Sequence, residues 1–504
     1  MAGYSWQRMD YINSNMTRIN SLGYTKIYDA ANNSWTINED PATAAHIGQA
    51  FGSDPDYVYH GKGQLNLVSF FGRLNYVFDN TYLLTFTLRD DGTSRFSKST
   101  RWGLFPSFAL GWKINNMPFF EGVDKMNEFK LRLGWGQTGQ QAVGGYNAYT
   151  PVYSISNPSV LYPNMNGGQW INPLYPNAYN ASLKWETTST WNVAVDMAWL
   201  NNRITASVEW YLRDTKDLLA YVPVPAGMTT TNAMDRNIGT LRNIGLEFNV
   251  GAKPIVTKDF TWSTGLNVAW NKNKITALTG SAQDDETFVL GAGGNPASEN
   301  AGDIEVHKVG YPAFSFRVFE QVYDKNGDPI ANCYVDQNGD GVIDSNDLVI
   351  KHSRDPKVTM TWNNTFNYKN WDLGFTLRAS IGNYVFNGVR AGGINLYNLE
   401  GQGNILNNVL ASDYYFNDGT AVSNLVRSDY FLENAGFVRC DNITLGYTFP
   451  ELLNNNLKLR VFGAVQNPFV ITKYKGLDPE VFSGIDSNVY PRPITATIGV
   501  VATF

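Results

Sequence analysis

Cysteine is scarce in this 504-residue chain, and Cys333 and Cys440 are the only two. They permit one disulfide but make no disulfide framework, so they say little about compartment. The four histidines, His46, His60, His307 and His352, are scattered and form no zinc-ligand spacing. There is no nucleophile elbow and no P-loop. Gly291–Asn295 is glycine-rich but opens no helix, and no pair of acids stands out as general acid and base. The chain is therefore read as a non-enzyme. It has no basic tract: Lys+Arg is 39 against Asp+Glu 45, a net charge of −6, which argues against a nucleic-acid partner. No apolar run approaches the ~18 residues that a membrane helix needs. That leaves a membrane barrel open, because barrel strands alternate and score as polar on average. The opening MAGYSWQRMD lacks a basic region followed by an apolar one, so the chain reads as cytosolic, as a mature form or as a fragment.

What is abundant favours strands and turns: 14 Trp, 28 Tyr, 28 Phe and 46 Gly. Period-two alternation recurs from end to end. Ile204, Ala206, Val208, Trp210 and Leu212 fall on one face, with Thr205, Ser207, Glu209, Tyr211 and Arg213 on the other. Leu246, Phe248 and Val250 oppose Glu247 and Asn249, and Leu373, Phe375, Leu377, Ala379 and Ile381 oppose Thr376, Arg378 and Ser380. These are half-buried strands, and the fold class is all-β and antiparallel.

Connections sort into two classes. Asp79-Asn80, Asn201-Asn202 and Lys369-Asn370 mark tight turns, whereas Thr138–Ser182, Thr215–Ile238, Asn383–Phe431 and Asn467–Arg492 are long. Short turns alternating with long loops describe an outer-membrane barrel, with the turns periplasmic and the loops outside. If the last strand, Pro493–Phe504, ends in the periplasm, all three tight turns fall inside, provided one more strand lies within Glu286–Val309 and turns at Tyr311-Pro312. The count is then about 16 strands, the first being Ala2–Met9, with residues 1–504 forming one barrel domain. A large soluble β-sandwich or propeller would share the alternation. The polar Gly/Thr/Asn-rich face and the aromatics near strand ends favour the membrane. Arg132, Glu209, Arg213, Glu247 and Arg378 are expected to line the lumen, and Trp210, Leu212, Phe248 and Phe375 to face lipid.

One motif carries chemistry. DQNGDGVIDSND, Asp336–Asp347, fits a 12-residue calcium loop: Asp336, Asn338 and Asp340 at positions 1, 3 and 5, Gly341 at 6, the Val342 carbonyl at 7, Asp344 at 9 and Asp347 at 12. A hard cation needs many oxygens from a short segment, and alternate carboxylates and amides supply them. The departure is Asp347, shorter than the Glu of a sensor loop; the bland alternative is a solvated Asx-turn. Asp324–Asn332 looks like a second copy but has Pro329 at the glycine position, and reads as a turn. The segment Asn157–Asn180 carries Tyr162, Trp170, Tyr175 and Tyr179 among amides, a set suited to stacking on sugar rings and bonding hydroxyls, or simply to packing the loop on itself.

Several segments resemble the SusC/RagA family of TonB-dependent outer-membrane transporters. They are Ser69–Trp112 (SFFGRLNYVFDNTYLLTFTLRDDGTSRFSKSTRWGLFPSFALGW), Leu183–Leu219, NIGTLRNIGLEF, VDQNGDGVIDSNDLVI, NWDLGFTLRASIGN and the closing YKGLDPEVFSGIDSNVYPRPITATIGVVATF. They are spread in order over nearly the whole chain. Thr497, Gly499 and Phe504 also resemble the terminal-strand signal read by the barrel-assembly machinery, with Ala502 a departure from it.

The resemblance implies import across the outer membrane of a Gram-negative bacterium. Family members are 22-stranded barrels closed by an N-terminal plug. A SusD-like surface lipoprotein covers the loops, and the TonB complex pulls on the plug. Most members take oligosaccharides and some take peptides. No plug or TonB box is recognisable before Ala2, so the chain is expected to be the C-terminal barrel portion, its first strand matching the family's seventh. Calcium is the one cofactor expected, in a structural role. The alternatives are a peptide importer, a plugless passive pore and a calcium-stabilised surface binding protein.

Overall fold

The structure is a computed structural model. It describes residues 1–16, 25–29, 34–38, 58–123, 125–142, 148–151, 153–155, 162–163, 170–171, 174–223, 233–278, 290–293, 303–392, 427–452, 457–487 and 490–503.

Fourteen strands form one antiparallel sheet in which chain neighbours are sheet neighbours throughout. They are β1 (Ala2–Met16), β2 (Val58–Phe78), β3 (Tyr82–Thr93), β4 (Trp102–Lys113), β5 (Met126–Gln140), β6 (Glu186–Trp199) and β7 (Ile204–Lys216). The second half comprises β8 (Thr240–Val256), β9 (Phe260–Ala277), β10 (Val358–Tyr368), β11 (Trp371–Ile381), β12 (Phe437–Leu452), β13 (Leu457–Thr472) and β14 (Thr495–Thr503). Such an up-and-down meander is the topology of a membrane barrel wall. The first and last strands stand at the two ends of the sheet order. No helix among the described residues is long and apolar enough to cross a membrane.

The connections obey the expected alternation. At one end they span 79–81, 114–125, 200–203, 257–259, 369–370 and 453–456; at the other, 17–57, 94–101, 141–185, 217–239, 278–357, 382–436 and 473–494. The tight turns use residues that tolerate left-handed backbone. Asp79 and Asn80 have φ of 50° and 46°, and Asn201 and Asn202 have 56° and 60°. Consecutive positive φ values match the twist of the flanking strands.

Among the described residues the expected count of 16 wall strands is corrected to 14. Among those same residues, Glu286–Val309 supplies no wall strand and Tyr311-Pro312 no wall turn. Leu290–Gly293 and Glu305–His307 instead join Ser315–Val318 and Val349–Ser353 in a separate four-stranded sheet. β9 pairs directly with β10, with 278–357 as one long excursion between them. Because a hairpin was added rather than a single strand, the sidedness of every other connection is unchanged.

Register fixes the two faces. Across β5 to β10, Leu133, Val193, Trp210, Leu246, Trp270 and Val358 stand in one row, and Leu131, Val195, Val208, Phe248, Val268 and Met360 in the next apolar one. The opposite face carries the row Arg132, Ala194, Glu209, Glu247 and the row Asn192, Tyr211, Gly245, Asn271. Trp210, Phe248, Trp270 and Trp362 are exposed although large and apolar, a surface that only lipid satisfies. Phe375 packs against Trp362 and Phe366 on the same side.

Candidate functional site

The described part of the connection 473–494 meets the polar face of the wall, where Glu480 and Asp478 accept from Arg378 and Arg439, which marks that face as the interior. The connections 278–357, 382–436 and 473–494 share one apolar core: Ile304, Phe316 and Val318 from the first, Phe386, Ala391 and Phe431 from the second, and Ile485 from the third. Burial of these side chains supplies the driving force, roughly 1.5–3 kcal/mol for each large one. Backbone bonds register the segments: Phe319 N–H donates to Arg427 O at 2.8 Å, Asp429 N–H to Phe319 O at 2.9 Å, and Phe386 N–H to Gly484 O at 2.9 Å. Buried Gln321 donates to the Ile330 and Cys333 carbonyls and accepts from Ser428, so its amide is satisfied within the cap. The result is one consolidated cap rather than independent loops.

The cap is bolted to the wall by charge. Arg378 on β11 donates to Glu480 of the connection 473–494 at 2.6 and 3.0 Å, and to Asp441 on β12 at 3.1 and 3.2 Å. Arg439 on β12 donates to Asp478 at 2.7 Å, and its Nε lies 2.9 Å from Glu480; Arg492 lies 3.0 Å from the same carboxylate. Three guanidiniums thus face three carboxylates. Arg439 and Asp478 are almost wholly buried, where an unpaired charge would be costly.

Deeper on the same face, Arg132 donates to Asp196 at 2.7 and 3.0 Å and to Glu209 at 3.2 Å, while Asn192 donates to Glu209 at 2.6 Å. A shallow concavity of about 370 Å³ lies beside them, floored by Ala109, Gly111, Gly134 and Ala194. Arg213 stands over the Tyr211 ring, whose hydroxyl donates to Asn271. The expected lumen residues therefore share one face, and Arg378 proves to be the wall's anchor for the cap.

Between two cap segments sits a buried polar junction. Glu305 is 1% exposed, and Arg354 Nη1 donates to it at 3.2 Å while also donating to Ser483 O at 3.1 Å. Burial pushes the Glu305 carboxyl up to about 7, against the pull of Arg354. The same burial, with Arg354 adding to it, pulls His307 below its ordinary value. Tyr474 donates to Asp486 at 2.7 Å, and its phenol is raised by burial first and by that carboxylate second. Their roles were not legible in the sequence, because each depends on a contact within or between the long connections.

The Asp336–Asp347 loop lies in 278–357, at the long-loop end as expected. Asp336 accepts from Gly339 and Gly341 N–H at 2.7 and 2.8 Å, Asp340 from Val342 at 2.8 Å, and Asp344 from Asn346 at 2.7 Å. Asp347, wholly buried, accepts from Gln337 and Asp344 N–H at 2.8 Å each. Those backbone donors, Asp344 first, hold its carboxyl below the usual range. Among the described residues no three His, Cys, Asp or Glu side chains gather to hold a metal ion. In this geometry the acids accept hydrogen bonds from the loop's own N–H groups, and Asp347 latches Gln337 and Asp344.

Tyr162, Trp170 and Tyr175 lie on the short strands Tyr162–Pro163, Trp170–Ile171 and Leu174–Pro176, and their side chains fall outside the described residues. Tyr179 is exposed. Thr497 and Gly499 pair with Ala464 and Phe462 of β13, while Phe504 lies outside the described residues. Cys333 and Cys440 are both free, the first exposed and the second buried.

Comparison with known proteins accords with this architecture. The profile of the family described as "TonB dependent receptor-like, beta-barrel" matches residues 2–467. The chain is 48% identical over 444 residues to the TonB-dependent receptor SusC of Bacteroides thetaiotaomicron, covering 87% of this chain and 44% of that one. It is 29% identical over 476 residues to TonB-dependent receptor P3 of Formosa agariphila, covering 87% of this chain and 45% of that protein. The RagAB peptide transporter superposes with a TM-score of 0.70 at 23% identity, over 89% of this chain and 49% of that one, which speaks to fold. The chain spans about half the length of the relatives it matches. It belongs to the TonB-dependent receptor β-barrel family, on its SusC/RagA side, and is an outer-membrane protein.

Proposed function

We propose that this receptor barrel forms the C-terminal wall and surface cap of an importer that takes oligosaccharides across the outer membrane, energised through TonB. The observation that carries the reading is the consolidated cap. Three long connections share one core and are tied to the inner wall through Glu480 and Asp478, so the conduit is built to be covered and gated rather than left open. The 48% identity to SusC favours a glycan over a peptide as cargo. A SusD-like surface lipoprotein is the proposed partner over the cap, and Tyr162, Trp170, Tyr175 and Tyr179 are the proposed sugar-stacking residues of the 141–185 connection. Lumen polar rows such as Arg132, Asn192 and Glu209 would offer hydrogen bonds to passing hydroxyls. Calcium in Asp336–Asp347 is a separate proposal, carried by the spacing of its oxygens alone.

The test is calorimetry of the intact membrane protein, purified with its surface partner, against defined oligosaccharides and oligopeptides. Heat with an oligosaccharide and none with peptides supports the reading. Peptide binding alone would make the protein a peptide importer, and a large constant single-channel conductance would make it a passive pore.

A further inference from the structure

Tyr211 lies down along the inner wall instead of standing out from it. Register places it opposite Gly245 on β8, and Gly245 opposite Asn271 on β9. A Cβ added at Gly245 would collide with the phenol end of Tyr211, and the Tyr211 hydroxyl donates to Asn271 Oδ1 at 3.0 Å. The side chain therefore crosses the whole of β8, with the glycine backbone beneath it and the interior above. Gly245 is buried under this contact, and Tyr211 itself is half-buried. β7 runs from Ile204 at the short-turn end to Lys216 at the loop end, so the ring lies just on the loop side of the strand's middle.

Its charged neighbours are unengaged. Arg213 follows two residues along β7 on the same face, and Glu247 lies two residues from Gly245 on β8. Among the described residues neither side chain makes a hydrogen bond or an ion pair. The Arg213 guanidinium stands 5.7 Å from the Tyr211 ring centroid, a loose contact beside the 3.4 Å of Arg354 over Phe314. Two other rings lie over glycines on the same face, and there the charge is already paired. Phe71 covers Gly3, and Arg89 beside it is held by Asp91 at 2.7 Å. Phe462 covers Gly499, and Arg460 beside it is held by Asp372 at 2.9 Å. Of the three, Tyr211 alone combines a ring laid on the wall with a free guanidinium and a free carboxylate.

We propose that Tyr211, Arg213 and Glu247 form a subsite on the lumen wall for a neutral pyranose unit of a passing oligosaccharide, an inference that rests on the importer reading above. A pyranose has an apolar C–H face and a rim of hydroxyls. The C–H face stacks on the Tyr211 ring, and the hydroxyls reach the two charged groups. Each hydroxyl both donates and accepts, so one sugar satisfies a donor-only guanidinium and an acceptor-only carboxylate together. Bonds to ionised groups are the stronger kind. The two charges sum to zero, so an anionic or cationic cargo gains at one and loses at the other. Arg213 and Glu247 stand four rows apart, about 14 Å along the wall, a span that their long side chains narrow to the width of a sugar unit. The bond to Asn271 fixes the ring beforehand, which lowers the ordering cost of stacking.

The experiment is titration calorimetry on the intact membrane protein in detergent, without its surface partner, so that the heat comes from this protein's own sites. The probes are hexamers of α-linked glucose, β-linked glucose and β-linked mannose, with hexaglycine as the peptide. The hexamer that wild type binds best is then titrated into variants. Tyr211→Ala should weaken binding about tenfold, and Arg213→Ala and Glu247→Ala about tenfold each. Tyr211→Phe keeps the ring, loses only the bond to Asn271, and should stay within about threefold of wild type. Phe71→Ala should bind as wild type does. Wild-type affinity in Tyr211→Ala, or an equal loss in Phe71→Ala, would overturn the subsite and leave the importer reading standing. Wild type that takes no pyranose hexamer would also overturn the subsite, and heat with hexaglycine alone would overturn the importer reading with it. If Tyr211→Ala fails to fold, judged by heat-modifiable migration, Arg213→Ala and Glu247→Ala are read against the same outcomes.

Discussion

Glu480, in the last long connection, accepts two hydrogen bonds from Arg378 on the wall, at 2.6 and 3.0 Å. Because Arg378 also holds Asp441, and Glu480 also faces Arg439 and Arg492, one carboxylate ties a surface loop to two adjacent strands. Glu480→Gln should therefore leave buried Arg439 short of charge and loosen residues 473–487. The expected local cost is about 3 kcal/mol, typical of removing one partner from a buried pair. Hydrogen exchange reads it directly: faster exchange confined to the cap is expected, and unchanged protection would show that the apolar core alone holds the loop.

The cap should also respond to pH through Glu305. A carboxyl raised to about 7 in the fold, and ordinary when unfolded, keeps its proton in the folded state while the unfolded state loses it. Its contribution is thus fully present below about pH 4.5 and is lost as pH rises toward 7, by about 3 kcal/mol at most. His307, depressed by burial, acts in the opposite direction, losing stability as pH falls below its ordinary value of 6.5. Glu305→Gln separates the two. Cap stability in the variant should lose its decline between pH 5 and 7, at about the values named above, and an unaltered profile would remove Glu305 as the cause.

Sidedness is checked by a charge placed in the apolar band. Phe248 sits opposite Val208, midway along the outward row from Ile204 to Leu212. Phe248→Lys should destabilise the folded barrel by about 2–4 kcal/mol in bilayers. Glu247→Lys, one residue away on the inner face, should cost much less. Equal costs would mean that the two faces have been exchanged.

The Asp336–Asp347 loop separates latch from metal site. Asp347→Asn weakens the acceptor for Gln337 and Asp344 N–H and should loosen this loop without melting the barrel. The latch is present above the usual carboxylate range and is lost as acid protonates Asp347. Titration calorimetry with calcium and then magnesium tests the metal proposal. Heat specific to calcium, abolished by replacing Asp336 and Asp340 with Asn, is expected; equal or absent heats leave the loop as a set of Asx-turns.

The sequence by itself determined the two faces of the wall strands, though not their number. Strict alternation such as Ile204 to Leu212, broken by turn residues that accept positive φ such as Asp79, Asn80, Asn201 and Asn202, dictates which residues share a face, because a strand's period is two. Pairing then follows from short connections, so Arg132, Glu209 and Glu247 fall on one side and Trp210 and Phe248 on the other. Tertiary structure decided everything made of non-local contacts. The short strands Leu290–Gly293 and Glu305–His307 read equally well as wall, and only their pairing with each other, and of Glu305–His307 with Ser315–Val318, assigns them to the cap. The Arg378, Arg439, Glu480 and Arg492 cluster joins residues up to 114 positions apart (492 minus 378), a distance over which no local pattern carries information. That β10 stops short of β9, whose pairing with it ends at Trp270, likewise becomes visible only once the two strands are side by side.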